Sequence, residues 1–283
     1  MFVSVVCILR NEEKFIQRNL AALSGQDHKD FEIVFVDNGS SDKTADMIRK
    51  FEDPRVRLVV EPRNLGLGEL RNIGVRHACG EFVFFTDGDC VPSHNWISEG
   101  LNAFTSDSIL GVEGRTFYEY ETNPTVSDFN TESLTPGRYM TCNMAYRTAA
   151  INGIGGFDPE CTHNHEDREL AIRISEIGSI VYSDQMLVCH ANKKLNAESV
   201  IKRTYRAECM VYIIKKHRAR HYKRQYVLYP QHLLIMFLPF LIITHYSYRS
   251  RRDIYIGVIK FLSLFLERAL IWRAAIRHRV FVF

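Results

Sequence analysis

Along the first ninety residues, short apolar runs alternate with segments whose apolar residues recur every three or four positions. Val3–Leu9, Phe31–Val36, Val56–Val60 and Phe82–Thr86 are rich in Val, Ile and Phe and nearly free of polar positions, as in strands buried on both faces. Between them, Phe15, Ile16, Leu20 and Leu23 share one helical face, and further helices are predicted near Thr44–Phe51 and over Leu67–Ala78. Strands and helices in alternation predict an α/β fold with a mainly parallel central sheet. The polar stretch Glu113–Arg138 lacks periodicity and is expected to be a binding loop or lid. Order returns over Thr141–Ala150, at a turn over Gly153–Pro159, and in a helix starting near Glu166 with Leu170, Ile174 and Ile177 inward.

In open α/β sheets, ligands sit beyond the carboxyl ends of the strands, and here those ends are polar: Arg10-Asn11-Glu12, Asp37 to Asp42, and Asp87-Gly88-Asp89. Each alone reads as a turn or a helix cap; together they predict one polar rim. Two carboxylates flanking a glycine suit an oxygen-seeking cation, Mg²⁺ or Mn²⁺. Glycines and Arg71 at a helix start favour an anion such as a diphosphate. The dinucleotide fingerprint does not fit, because these glycines follow the third strand and Arg71 stands where a third glycine belongs. Taken alone, Glu166-Asp167 is an acidic first turn favoured by the helix dipole, and Cys161, His163 and His165 lack zinc-finger spacing.

Several ordered stretches carry a resemblance. Val5-Val6-Cys7-Ile8-Leu9-Arg10-Asn11-Glu12-Glu13, Asp37-Asn38-Gly39-Ser40-Ser41-Asp42-Lys43-Thr44, Arg71-Asn72-Ile73-Gly74, Gly80 to Asp89, Gly155-Gly156-Phe157-Asp158 and Glu166 to Leu170 resemble the motifs of family 2 glycosyltransferases. The resemblance covers residues 1 to about 192 and implies the GT-A fold, a Rossmann-like sandwich, with a nucleotide-sugar half over about 1–90 and an acceptor half over about 91–192. It implies that Arg10, Asn11, Glu12, Asp37, Arg71, Asp87 and Asp89 bind the donor, with Asp37 at the nucleotide base, commonly uracil, and Arg71 near the diphosphate. Asp87 and Asp89 match the DxD motif, Asp87 toward the ribose and Asp89 on the Mn²⁺ or Mg²⁺, with His190 resembling a further metal ligand. Asp167 matches the general base, and Glu166 and Gly156 stand on the acceptor or supporting side. Many members carry Asp-Asp-Gly-Ser where this chain has Asp37-Asn38-Gly39-Ser40, and the Gln-x-x-Arg-Trp signature of processive synthases is missing, which favours single additions.

Charge divides the chain. Residues 1–192 hold 17 Lys+Arg against 29 Asp+Glu, whereas residues 193–283 hold 19 against 4. Basic clusters such as Lys215 to Arg224 border an uncharged run, Gln225–Tyr248, which points to an anionic membrane surface and away from nucleic acid. Pro230 and Pro239 interrupt that run and both its flanks are basic, so a re-entrant or monotopic anchor is expected instead of a span. Ile254–Ile276 keeps Lys260, Ser263 and Glu267 on one stripe amid Ile, Leu and Phe and is expected to be an interfacial helix, with a dimer interface or helical core as the alternative. Seven cysteines without a CxxC pair suggest a reducing compartment, hence the cytoplasmic face of the membrane.

The expected activity is metal-dependent, inverting transfer from a nucleotide-diphosphate sugar, UDP-sugar favoured, to an acceptor hydroxyl on a lipid-linked or cell-surface glycan precursor. A sugar-phosphate nucleotidyltransferase would need a glycine-rich loop where Arg10-Asn11-Glu12-Glu13 stands. A non-catalytic membrane-bound scaffold would have no use for Asp87, Asp89 and Asp167 together.

Overall fold

The computed structural model describes residues 1–118, 125–128, 132–161, 164–217 and 249–279. The chain divides into two compact units, one of Met1–Glu119 with Thr131–Ala191 and one of Tyr120–Asn130 with Asn192–Phe283.

In the first unit, β1 (Val3–Leu9), β2 (Phe31–Asp37), β3 (Val56–Val60) and β4 (Phe82–Asp87) are parallel, with β1 between β2 and β4. The sheet continues through β7 (Met144–Arg147), β6 (Ile109–Tyr118), β8 (Ser179–His190) and β5 (Cys90–Pro92), in the order β3-β2-β1-β4-β7-β6-β8-β5. Every residue of β1 and β2 is buried because helices cover both faces. On one face, Ile16, Leu20 and Leu23 of α1 (Ile16–Ser24) and Ile48 of α2 (Thr44–Arg49) pack on Val5, Ile33 and Phe84 together with Trp96 of α4 (Trp96–Asn102). On the other, α3 (Leu67–His77), α5 (Thr148–Gly153) and α6 (Glu166–Ser175) bring Leu70, Ile151 and Leu170 onto Val6, Val34 and Phe85. The chain reverses direction across the sheet between β1 and β4, which is where such folds open a crevice.

Two expectations are corrected. The polar stretch from Glu113 begins inside β6, with Glu113 and Thr116 buried. Inward polar residues hid the strand from its pattern, and Glu113 stays buried because Ser133 and three successive backbone N–H groups satisfy it. Ile177 is 57% exposed, since α6 ends at Ser175 and its inward face ends with it.

In the second unit, α7 (Ala197–Thr204), α8 (Arg206–His217) and α9 (Arg251–His278) follow the insertion at 125–128. Ser250 and Asp253 cap α9 reciprocally. Val211, Ile214, Ile271 and Ala274 form one apolar cluster between α8 and α9. Ser127 donates to Asp253 at 2.5 Å and Lys260 to the Val126 carbonyl at 2.7 Å, so the insertion is stitched to α9. Among the described residues, no helix is long and apolar enough to cross a membrane. The expected anchor over residues 225–248 lies outside the described residues.

Candidate active site

The parallel registers Leu9↔Asp37 and Ile8↔Asp87 bring the three polar strand ends to one rim. There a cleft of about 220 Å³ is lined by Arg10, Glu12, Asn38, Arg71, Asp87 and Asp89, with Leu67 and Leu70 of α3 as its apolar wall. The loops after β1 and β2 hold each other. Asn11, at φ 56°, accepts from the Ser41 N–H at 2.8 Å, and the Glu12 N–H donates to Thr44 Oγ1 at 2.8 Å.

Asp37 is buried and accepts from the Ser40 hydroxyl and N–H. Asn38, the next residue, lines the cleft, its amide exchanging hydrogen bonds with the Leu65 backbone at 3.2 and 3.1 Å. Arg10 reaches Asn64 across the same loop.

Asp89 and His190 meet where β5 pairs with β8 in the register Cys90↔His190. His190 Nε2 lies 3.7 Å from Asp89 Oδ1, and ligand atoms of Asp89, Cys90 and His190 all fall within 4.8 Å of one another. His190 Nδ1 is 3.0 Å from the Ala191 carbonyl, to which it donates, and Nε2 is the nitrogen on the Asp89 side. One imidazole and one carboxylate converging in this way fit a divalent ion of the Mn²⁺ or Mg²⁺ kind. Burial pushes the Cys90 thiol well up, which makes it a poor ligand. Asp87 stands outside this trio and faces Arg71.

Arg71 is 3% exposed and pairs with Glu166 and, at 3.3 Å, with Asp87. Burial alone would pull its guanidinium down; Glu166, Asp87 and Asp167 outweigh that and hold it above its ordinary value. Its partners lie on β4 and α6, up to 95 residues distant in the chain. One cation therefore joins the DxD turn to the helix that carries Asp167.

Asp167 is half-buried in the first turn of α6, whose entry is built from left-handed Asn164 and His165. Gly156, at φ 77°, leads into the helix-docking turn; a Cβ there would sit 2.4 Å from Asn72 Oδ1, the atom that receives the Phe157 N–H. Arg173 ties Glu169 of α6 to the Ile154 and Gly156 carbonyls, so Gly156 is a supporting position.

Two buried polar residues escaped sequence reasoning. Asn19, fully buried on the apolar face of α1, donates to the Asp87 and Cys90 carbonyls at 3.1 and 2.8 Å and pins the DxD turn. A polar residue interrupting the Ile16, Leu20, Leu23 face was the available signal. Tyr146, also fully buried, has a hydroxyl without a hydrogen-bond partner among the described residues, and burial followed by Asp167 pushes its phenol well up. Nothing in a strand sequence marks such a residue.

A mainly parallel sheet with polar strand ends at its switch point, and with a metal-competent carboxylate and histidine beside the β5–β8 pair, is a nucleotide-sugar transferase fold of the GT-A type. The profile described as Glycosyl transferase family 2 matches residues 4–154, and the chain belongs to that family. Glycosyltransferase AglE of Haloferax volcanii is 27% identical over 203 residues, covering 67% of this chain and 66% of that protein. The poly(ribitol-phosphate) beta-N-acetylglucosaminyltransferase TarS of Staphylococcus aureus is 31% identical over 183 residues, 59% of this chain but 31% of TarS. This chain thus spans less than two thirds of the length of either relative. Among solved structures, the mannosyltransferase PcManGT of Pyrobaculum calidifontis with GDP-Man and Mn²⁺ aligns at TM-score 0.60 and 17% identity, covering 97% of this chain and 73% of that one. TarS residues 1–349 with UDP-GlcNAc align at 0.58 and 19%, covering 99% and 93%.

Proposed function

We propose that this glycosyltransferase inverts the anomeric centre of a nucleotide-diphosphate sugar in one displacement by an acceptor hydroxyl. The observation that carries the reading is the buried Arg71, which lines the cleft and pairs both with Asp87 of the DxD turn and with Glu166, the neighbour of Asp167 in the chain. Asp89 and His190 would hold the Mn²⁺ or Mg²⁺ ion, which supplies positive charge for the leaving diphosphate. Arg71 and Asp87 orient the donor, and Asn38 with the loop that Asp37 and Ser40 brace faces the nucleotide. The Asp167 carboxylate takes the proton from the attacking hydroxyl, which makes the oxygen nucleophilic as the phosphate departs. A UDP-sugar is favoured as donor; the structural neighbours hold UDP-GlcNAc or GDP-Man, two donors that share the diphosphate.

The basic charge of residues 193–283 supports work at the cytoplasmic face of a membrane, as a peripheral, monotopic or re-entrant protein, on a lipid-linked or other membrane-held glycan acceptor. For the chemistry, the decisive variant is Asp167→Asn. Transfer should fall about 10²-fold or more, while the thermal shift produced by a nucleotide sugar with Mn²⁺ stays as in the unmodified protein. Unchanged turnover would remove Asp167 from the mechanism.

A further inference from the structure

The long helix of the second unit buries Ile256, Ile271 and Ala274 and leaves a second apolar face exposed. Asp253 and Arg268 are buried and Lys260 and Glu267 half-buried, so much of its charge turns inward. Ile254, Val258, Leu262, Phe265, Trp272 and Ile276 are between 45% and 81% exposed. Their spacing of three or four, continued through Ala269, sets them in one stripe about 33 Å long at 1.5 Å per residue. The sequence had placed Lys260, Ser263 and Glu267 on a common stripe without saying which way it faced. That stripe is half-buried, and an apolar stripe faces out.

A soluble surface seldom carries a contiguous apolar strip of this length without something to cover it. The charges at its ends say what that is. Arg251 and Arg252 are exposed at the start of α9, and Arg273, Arg277 and Arg279 at its end, where Arg273 also pairs with Glu208. Because both ends are basic, a second copy laid along the stripe sets arginines against arginines in either direction. An anionic surface meets both ends favourably.

We propose that α9 lies flat on an anionic lipid bilayer, with the Ile254–Ile276 stripe in the interfacial layer and the terminal arginines among the headgroups. This rests on the membrane reading above and assigns its contact surface.

The chain has two tryptophans, and Trp96 is fully buried while Trp272 is 54% exposed within the stripe, so fluorescence of the unmodified full chain reports on the stripe. Adding phosphatidylcholine vesicles containing a minor fraction of phosphatidylglycerol should shift the emission to the blue and reduce acrylamide quenching. Pure phosphatidylcholine vesicles should do much less. The double variant Leu262→Gln, Phe265→Gln should lower affinity for the mixed vesicles roughly tenfold or more, and Arg251→Gln with Arg277→Gln should lower it and flatten its salt dependence. Emission that stays unchanged while the protein sediments with vesicles would overturn the proposal, as would a vesicle-free dimer that Leu262→Gln, Phe265→Gln converts to monomer without altering sedimentation. Vesicle binding through the stripe with no thermal response to any nucleotide sugar would count against the transfer reading alone.

Discussion

Arg71 in the first unit and Arg268 in the second are equally hidden from water, each 3% exposed, yet their surroundings differ. Arg71 is flanked by Glu166 and Asp87. For Arg268 the described residues offer an aromatic face, Trp272, and leave Nε and Nη1 without partners. A buried ion pair is a weak source of net stability, but removing one member strands the other's charge. The first arginine is therefore held by the carboxylates it organises. The second lies on the inward side of α9, whose outward side carries the exposed apolar stripe.

The sharpest test of that contrast is Arg71→Met. It leaves Glu166 buried, with Oε1 newly unpaired beside an Oε2 that already has no hydrogen-bond partner among the described residues, and should cost about 3–5 kcal/mol in denaturant unfolding. A loss below about 1 kcal/mol would mean that Glu166 does not depend on Arg71.

Glu113→Gln probes a second buried anion of the first unit. Its carboxylate accepts from Ser133 and the Gly137, Arg138 and Tyr139 N–H groups, and an amide cannot accept all four, so about 1–3 kcal/mol should be lost. A thermal midpoint equal to that of the unmodified protein would show that the 133–139 turn holds without it.

In the second unit the expected sign reverses. Burial pushes Glu267 up to about 7 from its ordinary 4.5, so between those pH values the folded chain keeps a proton that the unfolded chain releases. Stability should fall as pH rises across that window and stay reduced above it. Glu267→Gln should then be the more stable protein at pH 8, by about 1–2 kcal/mol once the partial exposure of the carboxylate is allowed for, and should match the unmodified protein below pH 4.5. Equal midpoints at pH 8 would sink this account.

Arg268→Met should have the smallest effect, within about 1 kcal/mol, since it removes a buried cation that no described carboxylate is hydrogen-bonded to. A loss as large as that of Arg71→Met would erase the distinction between the two arginines.

Much of the first unit was legible in its sequence. Val3–Leu9 and Phe31–Asp37 announce buried parallel strands, because a strand covered on both faces can hold few polar residues, and chain order then places Arg10, Asp37, Asp87 and Asp89 at one edge of the sheet. Pairing across chain distance was not legible. Arg71 offered nearer acids in sequence, Asn19 looked like an interruption of a helix face, and Glu113 looked like the start of a loop. In each case the partner that explains burial lies on another element, brought near only by folding.

Sequence by itself therefore determined the alternation of strand and helix, the polar rim and the family, since these follow from local periodicity and from the chemistry of single residues. Tertiary structure alone decided that Arg71 serves Glu166 and Asp87, that Glu113 braces the 133–139 turn, and which side of α9 meets the outside. Periodicity tells which residues share a face of a helix; only packing tells which face turns inward.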